Sequence, residues 1–393
     1  MSRPLSSPVS ARGRATSARI QICIGLLAVV ALWAALLTFS SSTRLAARTL
    51  ALLPSFFVAL PGSPLDLVTD KPAHEVVELP PVDGYVRAHV YRPPKGRHPA
   101  LVLTLGLGPA PPDDPRVVRL LDGLARTGLV AVLVESETLN LDQLHPDLPQ
   151  ALIEAVQFTA GQGYVRADRV GLFGFSVGGS LALIAASEPP LRDTLRLVDA
   201  FGAYATLDDA LVSVATHTID DAGTVRRWEP DSVATHHLAD ALVADLTDPS
   251  DAEALRRYFV DEAGEPPDRP QLSAEGGAIY DLLTTRDRDT GVRLTAALPV
   301  ALRENVAALS PLAHVSDVRA RQFVMYDRGD PLLPFTGSRT LCTTARTSGA
   351  RPYCSSFAIF QHVDPTRMGN PVAVAHDLVE LYMHVFALLR QLQ

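Results

Sequence analysis

The sequence predicts an α/β protein with a mostly parallel, twisted β-sheet and helices on both of its faces. Short apolar runs alternate with amphipathic helical patterns, which is typical of strands joined by helical crossovers. Several of these runs, such as ALVLTL at 100–105, are apolar throughout, as expected of strands buried on both faces. Of 393 residues, 47% are hydrophobic and 20% are charged, which suits a globular core and excludes a wholly disordered chain.

The elements follow one another along 75–205 and 309–393, which we expect to form the core. The stretch between them, 206–308, is acidic and mostly helical in pattern, and it is too long for a loop. It is therefore predicted to be an inserted helical lid subdomain. Strands are predicted at 75–79, 85–91, 100–105, 129–134, 169–173, 197–201, 321–326 and 355–360, and helices at 117–127, 148–161, 178–187, 337–347 and 372–392.

The N-terminal region differs from the rest of the chain in charge and hydropathy. The first 60 residues contain six arginines and no acidic residue, whereas the whole chain has a net charge of −8. Residues 20–40 are apolar and carry no formal charge, and about 20 such residues span a bilayer. Because the apolar core of a cleavable signal is usually shorter, we predict a transmembrane signal anchor at 20–40.

The anchor prediction implies a topology. The basic segment 1–19 would lie in the cytoplasm and the main domain outside it, because basic residues favour the cytoplasmic side. Residues 41–74 would form a linker with an apolar interfacial segment at 50–60. The alternative is a secreted protein, cleaved near the small residues at 45–47.

Composition excludes several classes of partner and cofactor. The absence of a Lys/Arg-rich run argues against nucleic acid as a partner. Three cysteines are too few for a disulfide scaffold. Outside the cytoplasm Cys342 and Cys354 could form one disulfide, but the sequence leaves open whether their Cα atoms lie within bridging range. The neighbours His236 and His237, with His217, lack the spacing of known metal sites. We expect no metal and no cofactor.

The strongest local motif is a G-x-S-x-G sequence centred on Ser176. It directly follows a predicted buried strand and directly precedes a predicted helix. This setting is typical of a nucleophile elbow, in which a sharp turn exposes the serine at a helix N-terminus. The alternative interpretation is a glycine-rich turn that only packs the helix on the sheet.

With this motif, residues from about 75 onward resemble the α/β-hydrolase superfamily, in particular its dienelactone-hydrolase and prolyl-oligopeptidase-like branches. The resemblance covers the predicted sheet and not the insertion. It implies an α/β-hydrolase fold and a nucleophile, acid and histidine in that order along the chain. Asp330 matches the position of the acid, after a late strand and with Pro334 four residues on; Asp327 and Asp199 are alternatives.

The resemblance also indicates the base. His362 follows the last predicted strand and precedes the last helix, where the family places its catalytic histidine. Its surroundings depart from the commoner Gly-His sequence. The other histidines considered are expected to serve in packing or at the surface; they are His314, His376 and His384.

Acyl transfer also needs backbone N–H groups that bind the developing oxyanion. Val177, directly after the nucleophile, is expected to supply one of them. The second is expected from Leu107, in the glycine-containing loop after the strand at 100–105, with Gly108 as the alternative. The loop departs from the family pattern, since Leu105 replaces a common histidine. The alternative interpretation is an ordinary glycine turn.

Together these features predict a membrane-anchored serine hydrolase that cleaves a carboxylic ester or related acyl bond. Its substrate would be a small-molecule or lipid-like acyl compound. The alternatives are a serine peptidase and a catalytically inactive binding or scaffold protein at the membrane.

Overall fold

The computed structural model describes residues 40–57, 63–82, 84–108, 112–244, 246–362 and 370–393. The predicted basic N-terminus and all but the last residue of the predicted anchor at 20–40 lie outside these ranges. The chain divides into two units, residues 1–50 and Ala51–Gln393. In the first unit the structure describes one helical segment, and the second contains every described strand.

The strands are β1 (Ala73–Leu79), β2 (Val86–Arg92), β3 (His98–Thr104), β4 (Val130–Ser136), β5 (Val165–Phe175), β6 (Leu197–Phe201), β7 (Thr218–Asp221), β8 (Thr224–Arg227), β9 (Arg321–Asp327) and β10 (Tyr353–Phe357). The helices are α1 (Ser41–Leu52), α2 (Pro115–Arg126), α3 (Glu137–Asn140), α4 (Leu148–Ala160), α5 (Val177–Ser187), α6 (Pro189–Arg192), α7 (Leu207–Thr216), α8 (Ser232–Ala244), α9 (Pro249–Phe259), α10 (Ala274–Thr284), α11 (Arg288–Ala296), α12 (Val300–Ala308), α13 (Phe335–Thr347) and α14 (Pro371–Leu392).

Eight strands form one mixed sheet in the order β1-β2-β4-β3-β5-β6-β9-β10. Strand β2 is antiparallel to both of its neighbours, and all other pairs are parallel. The inner parallel strands are buried on both faces, which explains their continuous apolar runs. This is the α/β-hydrolase fold, and the predicted fold class is confirmed.

Helices cover both faces of the sheet. Helix α5 directly follows β5 and is buried along its whole length, since its small residues allow close packing. Among the described residues, α14 is the one helix long and apolar enough to cross a membrane by length and composition. It packs on β10, and its buried Asp377 accepts a hydrogen bond from the Ala358 N–H at 2.7 Å. These contacts assign α14 to the helical layer of the core.

The inserted region, which the sequence predicts to be mostly helical, contains α7 to α12 and also the β7–β8 hairpin, which the sequence pattern did not indicate. Helices α7 and α11 are joined by an ion pair between Asp209 and Arg288. Burial raises the pKa of Asp209 and the nearby Arg288 opposes this effect. A further ion pair, between Asp221 and Arg339, joins the hairpin to α13.

Two features lie at the ends of the core. Cys342 in α13 and Cys354 in β10 form a disulfide, with Cα atoms 6.5 Å apart. Residues 41–74, expected as a linker, contain helix α1 and two short 3₁₀ turns at Leu53–Phe56 and Pro64–Leu67. The first of these turns packs on α2.

Candidate active site

Ser176 lies in a sharp turn between β5 and α5. Its φ and ψ angles are 57° and −130°, a conformation that is strained for a residue with a side chain. A Cβ atom on Gly174 would lie 2.1 Å from the Gly178 carbonyl oxygen, and one on Gly178 would lie 2.2 Å from the Leu105 carbonyl oxygen. The turn therefore requires glycine at both flanking positions of the motif.

His362 and Asp330 are brought together from two loops at the same edge of the sheet. Nδ1 of His362 lies 2.7 Å from Oδ2 of Asp330, and both side chains are buried. The other carboxylate oxygen, Oδ1, accepts hydrogen bonds from the N–H groups of Leu332 and Leu333 at 2.8 and 3.0 Å. Both oxygens of Asp330 are thus engaged, so the carboxylate accepts from Nδ1–H and directs Nε2 of His362 away from itself.

The two alternative acids have other partners. Asp327 accepts hydrogen bonds from the N–H groups of Gly329 and Phe360, both at 2.7 Å. It therefore joins the end of β9 to the segment that carries the histidine. Asp199 is fully buried in β6 and lies 3.0 Å from Nε2 of His384, so it is separated from His362.

The remaining histidines also have local partners. Nδ1 of His384 lies 2.9 Å from the Ser355 hydroxyl, which completes a buried network behind the sheet. Nδ1 of His314 lies near the Ser187 hydroxyl. His376 is exposed on α14, and its Nδ1 lies 3.2 Å from the buried Asp377 carboxylate. None of these contacts involves the Ser176 turn.

The glycine loop after β3 passes directly over the serine. A Cβ atom on Gly106 would lie 2.8 Å from the Ser176 Cβ and 3.0 Å from its Oγ. The Gly108 N–H donates to the Leu139 carbonyl at 3.1 Å and is therefore engaged. In the described part of the chain the Leu107 N–H donates to no acceptor. Val177 is the first residue of α5, where N–H groups have no intrahelical acceptor.

One cavity of about 630 Å³, a size typical of small-molecule sites, is lined by Ser176, Val177, Leu107 and His362. Its floor comes from the ends of the central strands, and α7 and α8 of the insertion also contribute to its wall. The lining is strongly apolar, with twelve leucines. They are Leu103, Leu105, Leu107, Leu120, Leu121, Leu133, Leu144, Leu207, Leu211, Leu238, Leu332 and Leu333.

Few polar side chains line the cavity besides Ser176 and His362, and one of them, Ser55, has a buried hydroxyl oxygen with no hydrogen-bond partner among the described residues. Burial raises the pKa of Tyr204 far above its usual range, and its hydroxyl donates to the Leu309 carbonyl at 2.9 Å. The hydrogen bond from Arg116 holds the pKa of Asp114 below its usual range. Tyr204 and Asp114 are therefore poor candidates for acid–base roles in the cavity.

Two contacts that the insertion makes near the site were not predicted from the sequence. The Trp228 indole N–H donates to the Asp330 backbone carbonyl at 2.9 Å. His237 in α8 lines the cavity, and its Nδ1 lies 2.9 Å from Oδ1 of Asp142, an ion-pair distance without hydrogen-bond alignment. No sequence signal identifies these contacts, because each pair is joined only by tertiary packing.

No group of three or more His, Cys, Asp or Glu side chains suited to a metal ion occurs among the residues the structure describes. The rings of His236 and His237 lie 6.0 Å apart, edge to face.

No protein-family model and no curated protein sequence matches this chain. Among solved structures, the acylaminoacyl peptidase of Pyrococcus horikoshii is similar, with a TM-score of 0.50 and 15% identity over 83% of this chain and 43% of the peptidase. The chain thus spans less than half the length of that peptidase. A thermostable esterase from Pseudomonas putida has a TM-score of 0.48 and 15% identity, covering 82% of this chain and 84% of the esterase. At such identities the likeness to the peptidase concerns the fold alone.

Proposed function

We propose that this protein is a serine hydrolase that cleaves a carboxylic ester or related acyl bond. The observation that carries the proposal is the buried contact of 2.7 Å between His362 and Asp330, at the cavity into which the strained Ser176 turn opens. Strain at a non-glycine residue marks positions where the surrounding fold imposes a particular orientation.

In the proposed mechanism, Oγ of Ser176 attacks the carbonyl carbon of the ester while Nε2 of His362 takes its proton. Asp330 keeps the proton of the neutral imidazole on Nδ1 and stabilises the imidazolium that forms. The N–H groups of Val177 and Leu107 bind the oxyanion. The leaving alcohol takes the proton from Nε2. Water then attacks the acyl-enzyme, with His362 as base, and releases the acid and the free serine.

The apolar lining favours an ester substrate over a peptide. A peptide in this cavity would bury backbone N–H and C=O groups beside leucine side chains, and each unpaired buried group costs about 1–3 kcal/mol. A peptidase and an inactive scaffold remain the competing functions, and both are outcomes of the experiment below.

We further propose that the domain lies outside the cytoplasm, held by the predicted anchor at 20–40. The disulfide between Cys342 and Cys354 supports this location, because disulfides persist mainly in oxidising compartments. Retention of the full chain in the membrane fraction after alkaline washing, with a protease-accessible domain on the outside of intact cells, would support it. A soluble product lacking residues 1–45 would instead indicate a cleaved signal.

The activity is tested by labelling the full chain with a fluorophosphonate, which reacts with activated serines. We expect labelling of the parent, none of Ser176→Ala and strongly reduced labelling of His362→Ala. The exposed residues Ser316 and His376 provide matched controls, whose alanine variants should react like the parent. A folded parent that does not react would refute the hydrolase proposal and favour the scaffold. Turnover of peptide anilides without turnover of nitrophenyl esters would favour the peptidase.

A further inference from the structure

We propose that the acyl part of the substrate is a long alkyl chain of about eight carbons or more. The chain would occupy one part of the cavity, here called the acyl arm and lined by Leu103, Leu133, Val117, Leu120 and Phe56. This inference rests on the proposed hydrolase function and adds the class of substrate.

The position of the acyl arm follows from the order of the strands. Ser176 follows β5, Leu103 lies in the neighbouring β3, and Leu133 lies in β4, one strand further. Strands are about 4.8 Å apart, so the floor of the arm extends about 10 Å sideways from the nucleophile. Beyond β4 the arm continues to α2, which packs on that strand, and to the turn Leu53–Phe56, which packs on α2.

This length sets a lower limit for the chain that fills the arm. An extended chain advances about 1.2 Å per bond, since a residue of three bonds spans about 3.6 Å. A distance of about 10 Å therefore corresponds to about eight bonds. Shorter acyl groups would leave part of this apolar surface without contacts.

The chemistry of the arm selects an alkyl chain over a polar one. The five residues that define the arm are aliphatic or aromatic. Beside Phe56 lies Ser55, whose buried Oγ faces Gly123 of α2, where a Cβ atom would lie 2.5 Å away. The charged groups lining this part of the cavity, Asp114 and Arg116, are hydrogen-bonded to each other at 2.8 Å. A polar chain would lose its water and gain at most one new partner among these groups, the buried Ser55 Oγ, which has no hydrogen bond within the ranges that the structure describes.

The experiment compares nitrophenyl esters of two to twelve carbons, each below its critical micelle concentration, on the full chain in a mild detergent. We expect kcat/KM to rise about fourfold for each added methylene, the fold-change that corresponds to about 0.8 kcal/mol, up to at least eight carbons. A maximum at two to four carbons would overturn the inference.

A cavity-filling variant tests the position of the arm. Val117 is partly exposed, so a tryptophan there can enter the arm without overpacking the core. In Val117→Trp we expect the ratio of kcat/KM for the ten-carbon ester to kcat/KM for the two-carbon ester to fall at least tenfold. Val292→Trp, at an exposed position outside the cavity, is the matched control. Equal losses for both esters would overturn the inference.

Fluorophosphonate labelling separates this inference from the proposed function. Full labelling of Val117→Trp by a short-chain probe, with slower labelling by a ten-carbon probe, would support the acyl arm and show that the variant folds. Efficient labelling of the parent combined with a short-chain preference would overturn the acyl arm alone. If no probe labelled a folded parent, both the proposed function and this inference would be refuted.

Discussion

Replacing the carboxylate beside His362 tests which aspartate is the catalytic acid. In Asp330→Asn the carboxamide keeps the size of the side chain but removes the charge. An amide also presents an N–H₂ group where one oxygen now accepts, so it either repels the Nδ1 proton of His362 or loses the hydrogen bonds from Leu332 and Leu333. In the first orientation the imidazole carries its proton on Nε2, where it can no longer take the proton of Ser176.

The expected loss is about 10³- to 10⁴-fold in kcat. The carboxylate no longer stabilises the imidazolium, and it no longer keeps the proton of the neutral imidazole on Nδ1. Stability should change by only about 1–3 kcal/mol, the range for disturbing a buried hydrogen-bonded group. The assay is steady-state turnover of a nitrophenyl ester beside thermal unfolding of the same preparation.

Asp327→Asn is the matched comparison, since Asp327 is equally buried and accepts hydrogen bonds from the backbone N–H groups of Gly329 and Phe360. It should lower the free energy of unfolding by about 1–3 kcal/mol and kcat by no more than about tenfold. If the folded Asp327→Asn enzyme instead lost as much kcat as Asp330→Asn or more, the assignment of the acid would be refuted.

Three further predictions concern the surroundings of the site. Gly106→Ala should lower fluorophosphonate labelling about a hundredfold, the cost of an ~1 Å misplacement, because the new Cβ would lie 2.8 Å from the Cβ of Ser176. Trp228→Phe should lower kcat about fivefold with little change in KM, since about 1 kcal/mol of hydrogen bonding to the acid-bearing loop is lost. Joint replacement of Cys342 and Cys354 by serine should lower the free energy of unfolding by about 2–4 kcal/mol, because the bond closes a loop with a sequence separation of 12.

Each of these predictions has its own counter-result. Undiminished labelling of Gly106→Ala would show that the glycine loop is not held over the serine. A change in KM alone for Trp228→Phe would assign the indole to substrate binding. A parent protein whose Tm does not respond to reductant would contradict the disulfide.

The pattern of the sequence was sufficient for the fold. Continuous apolar runs and the helices between them predict a parallel sheet because a strand buried on both faces has no polar side. The sharp turn at Ser176 could also be predicted from the sequence, because the glycines around it meet a local steric requirement. In contrast, the 3₁₀ turn Leu53–Phe56 and the β7–β8 hairpin were missed, since their few residues show no clear period.

Local sequence alone thus determined the order of the core elements and the position of the turn at Ser176. It left three aspartates open as the acid, because each follows or lies in a strand and the motif does not record what its oxygens contact. Only the tertiary structure pairs Asp330 with His362, directs Asp327 to the backbone and joins Asp199 to His384. The shape of the cavity also depends on the tertiary structure. Its wall combines α2, the insertion and the turn Leu53–Phe56, which are distant in sequence and meet only by packing.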